Sequence, residues 1–122
     1  MCGFEELDLY QRARQYRKKI SSLTKTFPQD ERFRLTDQMI RASRSVTNQI
    51  AEGHGRYHFQ ENIQFCRIAR GSLDELHDHL NIAHDEKFIE HEKHQELIQE
   101  KHKIAQLLNV YIKFLQRTKR EF

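Results

Sequence analysis

The chain has 122 residues, of which 37% are hydrophobic and 32% are charged, a length that suits one domain and leaves little room for a second. Lysine and arginine outnumber aspartate and glutamate by 21 to 18, so the net charge of +3 makes the protein only mildly basic. One proline, four glycines and no tryptophan supply too few turn signals for many short strands and favour a few long helices.

Nothing in the sequence predicts a membrane span or an export signal. No run of 18 apolar residues is present, and the N-terminus, MCGFEE, lacks the basic and apolar regions of a signal peptide. Cys2 and Cys66 are too few for a disulfide framework. Cys66 falls on an apolar helical face, where cysteine usually acts as a small hydrophobe. We therefore expect a cytoplasmic protein that does not contact the membrane.

The first two predicted helices follow each other across a proline. Helix 1 covers about residues 5–26, and its apolar side chains, spaced by four and three residues, are Leu9, Ala13, Tyr16, Ile20, Leu23 and Phe27. It ends before Pro28, because the residue before a proline avoids the helical region. Helix 2 is predicted from an N-cap at Asp30 to about Glu52, and a left-handed glycine in Gly53-His54-Gly55 ends it. Its shared face consists of Leu35, Met39, Ala42, Val46, Ile50 and Gly53.

Helix 3 is predicted over about residues 58–86. Phe59 and Ile63 lead into its seam, which consists of Cys66, Ala69, Leu73, Leu76, Leu80 and Ala83. Gly71 lies inside this helix. It either permits a close approach to another helix or is a tolerated defect that costs up to about 1 kcal/mol relative to alanine.

Helix 4, predicted over about residues 90–118, has an unusually wide apolar stripe. One seam contains Leu97, Ile104, Leu108, Tyr111 and Leu115, and Leu107 and Phe114 lie beside it. A second seam contains Ile98, Ala105 and Ile112. Such a stripe is wider than one antiparallel pair of neighbours covers. Either helix 4 is the central core helix, or the second seam is an oligomer interface, which is the alternative we favour.

Short loops between four helices predict an all-α fold, an antiparallel up-down-up-down four-helix bundle. No repeat, low-complexity tract or linker interrupts the chain. We therefore treat residues 1–122 as a single four-helix bundle domain.

Positive charge is concentrated in helix 1. Residues 12–25 contain six basic and no acidic residues, whereas residues 59–88 contain six acids against three bases. At 100° per residue, most of these basic side chains point away from the apolar face, and helix 2 adds two outward arginines. We predict a phosphate-binding surface formed by Arg12, Arg14, Lys18, Lys19, Lys25, Arg41 and Arg44.

Eight histidines raise the question of a metal site. His77 and His84 are too far apart along one helix to share an ion, and the pair His91 and His94 has no third ligand fixed by the sequence. The carboxylate-x-x-histidine element that ends at His77 has no second copy, which di-iron bundles require. No phosphate loop or nucleophile elbow is present. We predict no metal, no cofactor, no small-molecule substrate and no enzymatic activity, and a metal-dependent bundle enzyme is the least favoured hypothesis.

Several segments of the chain are similar to a known bacterial family. They are FEEL at residues 4–7, LTDQMIRA at 35–42, IAEG at 50–53 and ARGSLDEL at 69–76. Over most of its length the chain resembles the four helix bundle protein family, also described as the S23 ribosomal protein or 23S rRNA intervening-sequence protein family. The chain departs from the family pattern at Tyr10 (usually tryptophan), Arg34 (often glycine), Thr47 (frequently proline) and Gln49 (usually asparagine).

This resemblance implies a protein of the type encoded within intervening sequences of bacterial 23S rRNA genes. It also implies similarity to the accessory proteins of diversity-generating retroelements, homopentamers that bind nucleic acid and a reverse transcriptase. Taken with the basic surface, it predicts a non-catalytic homo-oligomer, a pentamer by resemblance, that binds rRNA or retroelement-type RNA or DNA. The alternative is a protein–protein scaffold without nucleic-acid binding.

Overall fold

The computed structural model describes the backbone of residues 3–121 and the side chains of residues 3–118, and in this range it contains helices and no strand. The four α-helices are α1 (Asp8–Thr24), α2 (Leu35–His54), α3 (Phe59–Asp85) and α4 (His91–Glu121), and short 3₁₀ helices at Phe4–Glu6 and Gln29–Glu31 precede α1 and α2. Each α-helix packs against the next, and α4 packs back against α1. This is the predicted antiparallel up-down-up-down bundle. None of the described helices has an apolar stretch that could cross a membrane.

The core consists largely of the apolar seams predicted from the sequence. All six predicted seam residues of α2 and all six of α3 are buried. So are Leu9, Ala13, Tyr16 and Ile20 of α1, and Leu97, Ile104, Leu108 and Leu115 of α4. The buried apolar residues of the four helices form one cluster. Burial raises the pKa of the Cys66 thiol to about 11, so this cysteine is a packing residue, whereas Cys2 lies outside the described residues.

The start of α2 differs from the prediction. Asp30 is not an N-cap, because it lies in the 3₁₀ turn and α2 begins only after Arg34. The backbone N–H of Leu35 instead donates to Glu31 Oε2 at 3.2 Å. A carboxylate from the preceding turn thus satisfies one of the N–H groups that a helix leaves without an internal partner. The start of α1 is also later than predicted, because Leu7 is extended and separates the first 3₁₀ turn from the helix.

The glycines around residue 53 do not form the predicted left-handed cap. Gly55 has a φ of −78°, and no glycine in the described part of the chain has a positive φ. Gly53 instead lies where α2 and α3 approach closely. A Cβ built on it would be 2.7 Å from Asn62 Oδ1 and 2.9 Å from Phe65 Cβ. Gly71 is the opposite case, because a Cβ built there would meet nothing within 4 Å. The interpretation of Gly71 as a site of close approach is therefore wrong, and its interpretation as a tolerated defect holds.

The predicted oligomer seam of α4 faces α3 of the same chain. Ile112 is buried in the subunit at 5% exposure, and Ile98 and Ala105 are half-buried against the core. Asn109 lies on the same side of α4, and its Oδ1 accepts a hydrogen bond from Arg70 of α3 at 2.9 Å. The stripe is wide because α4 contacts a neighbour on each side. The width of the apolar stripe therefore does not by itself show that Ile98, Ala105 and Ile112 form an interface between subunits.

The turn between α3 and α4 places a lysine where glycine is preferred. Lys87 has a φ of 63°. Its N–H donates to the His84 carbonyl at 3.0 Å, and the N–H of Phe88 donates to the Ala83 carbonyl at 2.8 Å. This is a Schellman motif, whose left-handed position is usually glycine.

We expect Lys87→Gly to raise the free energy of unfolding by about 1 kcal/mol, because glycine adopts the left-handed region without the Cβ penalty. Urea unfolding followed by circular dichroism measures the change. Lys87→Ala removes the same charge but keeps the Cβ, so it should give little or none of this gain. Equal gains from both variants would contradict the backbone explanation.

Candidate nucleic-acid interface

Six of the seven predicted phosphate-binding residues are exposed and Arg14 is half-buried, and their ionic surroundings differ. Three have a carboxylate within 4 Å, in the pairs Arg12–Asp8 at 3.7 Å, Lys19–Glu100 at 3.3 Å and Arg41–Asp37 at 3.6 Å. Exposed pairs of this kind add little stability, yet each carboxylate cancels part of the positive potential. Among residues 3–118 the other four have no carboxylate partner, and we call them the open basic face: Arg14, Lys18, Lys25 and Arg44.

The alignment of α1 with α2 brings the open basic face together. Arg17 Nη1 donates to Thr47 Oγ1 at 2.9 Å, which sets these two residues level with each other. Because the helices are antiparallel, Arg44 is level with Ile20 and so lies between Lys18 and Lys25 along the bundle. The face extends from Arg14 to Lys25, the residue that follows α1, a span of 11 helical steps or about 16 Å. Thr47 is buried, and its hydroxyl accepts this hydrogen bond.

The remaining two predicted cations of α1 lie on its other side. Lys19 pairs with Glu100 of α4, and Arg12 lines a groove with Lys103, Leu107 and Val110 of α4. Arg12 and Lys19 thus border α4, whereas Arg14 lies one turn from the Arg17 contact to α2. Lys18 of the open basic face lines one groove with Lys19, Lys93 and Leu97, so Lys19 is set apart from that face by its carboxylate partner rather than by distance.

A second charged cluster lies between α3 and α4 and was not predicted from the sequence. Lys101 is buried, and its Nζ lies 2.8 Å from Asp74 Oδ1 and 3.2 Å from His77 Nδ1. The hydrogen bond from Lys101 lowers the pKa of the Asp74 carboxyl. The ring of His102 meets that of His77 edge-on, with centroids 5.7 Å apart. The apolar pattern gives no signal for a lysine on the core side of α4, since only contacts to α3 compensate its burial.

Three histidines meet at the turn between α3 and α4. His84 and His94 stack with ring centroids 4.6 Å apart, and His91 lies 5.6 Å from His84. His94 Nε2 is 2.8 Å from Asn81 Oδ1. In the part of the chain that is described, no three His, Cys, Asp or Glu side chains are arranged to hold a metal ion.

Acidification should destabilise the bundle through His94. Burial, together with His84 and His91, lowers the pKa of His94 below its ordinary 6.5, and Asp85 opposes the effect. Near and below pH 6.5 the unfolded chain then binds more protons than the folded chain, so stability is lost as the pH falls through this range.

We expect the melting temperature to drop between about pH 7.5 and 5.5 and His94→Gln to reduce that drop. Thermal unfolding followed by circular dichroism measures both. His58→Gln, at an exposed position before α3, is the matched control and should leave the drop unchanged. The assignment to His94 is wrong if the two variants behave alike.

Two aromatic side chains in the segments between helices are almost fully exposed. Phe33 and Tyr57 are 83% and 91% exposed. The Arg32 guanidinium lies 5.2 Å from the centroid of the Phe33 ring, within reach of a cation–π interaction. Both residues are in the segments between helices, where no apolar period exists to place them.

The fold and its exterior define a small antiparallel four-helix bundle with a cationic face on its first two helices. A family model described as 23S rRNA-intervening sequence protein matches residues 5–110. The chain belongs to this family, which confirms the resemblance.

A solved structure shares the fold. It is the crystal structure at 1.70 Å of a protein with unknown function from the S23 ribosomal protein family of Bacteroides thetaiotaomicron VPI-5482. The TM-score is 0.80 at 20% sequence identity, over 86% of this chain and 95% of that one. At this identity the likeness concerns the fold alone. No curated protein sequence matches the chain.

Proposed function

We propose that the protein is a non-catalytic, oligomeric bundle that binds nucleic acid through the open basic face. The observation that carries the proposal is a run of four cations, on adjoining surfaces of α2 and of α1 with its C-cap, that have no carboxylate within 4 Å in the described part of the chain. Lysine and arginine on phosphates release counterions, which gives salt-sensitive affinity with little dependence on sequence. The family description names the 23S rRNA intervening sequence, which supports ribosomal RNA as the first ligand to test and retroelement-type RNA or DNA as the second.

Assembly would strengthen this binding without any further residues. One subunit carries a net charge of only +3, so a single open basic face binds weakly. A homo-oligomer, a pentamer by resemblance to the retroelement proteins, presents several such faces to one strand, and each later contact is then intramolecular.

Filter binding to fragments of 23S rRNA at about 50 to 200 mM salt tests the proposal. If all four cations contact phosphates, the logarithm of the affinity should fall linearly with the logarithm of salt, with a slope of about −3 per subunit. Fragments of equal length and different sequence should bind alike. Absence of binding at the lowest salt would sink the idea.

A protein–protein scaffold is the second candidate, and the exposure of Val110 and Phe114 on α4 favours it. A scaffold presents apolar side chains to a partner and needs no phosphate contact. The same binding experiment separates the two functions, because a scaffold assembles normally and shows no affinity for RNA.

A further inference from the structure

Four of the six large hydrophobic side chains that are exposed in the described chain lie on two helices, α3 and α4. On α4, Val110 and Phe114 are one turn apart and are 62% and 50% exposed. On α3, Ile68 and Ile82 are 14 residues apart and are 51% and 39% exposed. Multiples of seven residues return to the same face of a helix. We call the two faces the α4 stripe (Lys103, Leu107, Val110, Phe114 and Arg117) and the α3 stripe (Ile68, Gly71, Glu75, Asp78 and Ile82).

The two stripes lie on opposite sides of the bundle. The α4 stripe borders α1, because Arg12 of α1 lines the same groove as Leu107 and Val110. The α3 stripe borders α2, because Ser72 Oγ lies 2.8 Å from Ser45 Oγ of α2. Since the helices contact one another in the cyclic order α1, α2, α3, α4, the α1–α4 side and the α2–α3 side face away from each other.

The two stripes also carry opposite charge. The α4 stripe includes Lys103 and Arg117, and Lys113 and Arg12 lie at its edges. The α3 stripe includes two carboxylates; Arg67 and Arg70 flank its Ile68 end, and residues 71–86 contain no lysine or arginine. Open space around Gly71 leaves room for a side chain from outside. Each stripe therefore offers exposed apolar side chains to the other, and the charged side chains of the two stripes are of opposite sign.

We propose that the α4 stripe of one copy packs on the α3 stripe of a second copy. The contact is heterologous, since each copy offers one stripe to one neighbour and the other stripe to the next. Repetition of such a contact closes into a ring or continues as an open chain. The proposal deepens the proposed function by naming the surfaces through which the copies assemble. It rests on the oligomer in that function, but its residues lie outside the open basic face.

Complementary disruption tests the pairing directly. The α4 variant is Val110→Glu with Phe114→Glu, the α3 variant is Ile68→Lys with Ile82→Lys, and mass is measured by light scattering after size-exclusion chromatography. Each variant alone should be a monomer, whereas the wild type is an oligomer. An equimolar mixture should form a 1:1 dimer, because the intact α3 stripe of one variant meets the intact α4 stripe of the other. The two substituted stripes could contact each other only through exposed ion pairs, which contribute little to the stability of the contact.

Controls separate assembly from folding. Tyr57→Glu and Tyr57→Lys each introduce one charge of the corresponding sign at the most exposed large hydrophobic side chain of the described residues, and both should keep the wild-type mass. Circular dichroism checks the helicity of every variant. If a double variant unfolds, the single changes Val110→Glu and Ile68→Lys, at the more exposed position of each pair, replace it.

Three results would overturn the pairing: a monomeric wild type, a mixture that stays monomeric, or an α3 variant that keeps the wild-type mass. The last would show that the α4 stripe pairs with itself. The proposed function is judged separately. A wild type that assembles as described but does not bind RNA refutes nucleic-acid binding alone, whereas RNA binding by a monomeric wild type refutes the assembly alone.

Discussion

Replacing Gly53 with alanine should lower the free energy of unfolding by about 1–3 kcal/mol, although alanine is the better helix former. The new Cβ would lie 2.7 Å from Asn62 Oδ1, 2.9 Å from Phe65 Cβ and 3.2 Å from the Asn62 backbone oxygen. Asn62 is buried and held in place, since its Nδ2 donates to the Tyr111 hydroxyl at 3.1 Å and its Oδ1 accepts from the Cys66 thiol at 3.5 Å. The clash is therefore relieved only if α2 moves away from α3.

Gly71→Ala is the matched control, with the same substitution in the neighbouring helix and the opposite expected sign. A Cβ at Gly71 meets nothing within 4 Å, so the helix propensity of alanine should raise stability by up to about 1 kcal/mol. Urea unfolding of both variants measures the difference. Stabilisation by both substitutions would show that α2 and α3 do not approach as closely as the structure indicates.

The two glycines show which part of the fold the sequence could predict. The apolar period places both in helices and assigns the core faces correctly, because one buried stripe per helix is what holds the bundle together. The pattern does not show how near the neighbouring backbone lies, so a close approach stayed one of two alternatives at Gly71 and was not predicted at Gly53, where it occurs. The start of α2 was missed for a related reason. Its first N–H partner comes from Glu31, whose position depends on the path of the preceding turn.

The sequence was sufficient to predict which helices carry the candidate site, but not all of the carboxylate partners of its cations. Outward cations follow from helical geometry, and the pairs at i and i+4, Arg12 with Asp8 and Arg41 with Asp37, are visible as spacing in the sequence. The partner of Lys19 is 81 residues away, on α4, and only the packing of α1 against α4 reveals it. The wide apolar face of helix 4 did not identify an interface, because periodicity counts apolar residues without showing which neighbour covers them.

Removal of the unpaired cations should weaken nucleic-acid binding much more than removal of the paired ones. Lys18, Lys25 and Arg44 belong to the open basic face, have no carboxylate within 4 Å among residues 3–118 and are exposed. Changing all three to glutamine should reduce the salt slope by about 2–3 and lower the affinity at low salt on the order of a hundredfold. The loss should be similar for all sequences, because phosphate contacts do not read bases.

The chain provides a control with the same change in charge. Replacing Arg12, Lys19 and Arg41 with glutamine also removes three positive charges, so the net charge of each triple variant falls from +3 to 0. These three already have carboxylates nearby, and their loss should leave most of the affinity and of the salt slope. Equal losses in the two triple variants would mean that net charge alone attracts the nucleic acid. The division of the basic residues by their carboxylate partners would then have no bearing on binding, and the open basic face would not be the site.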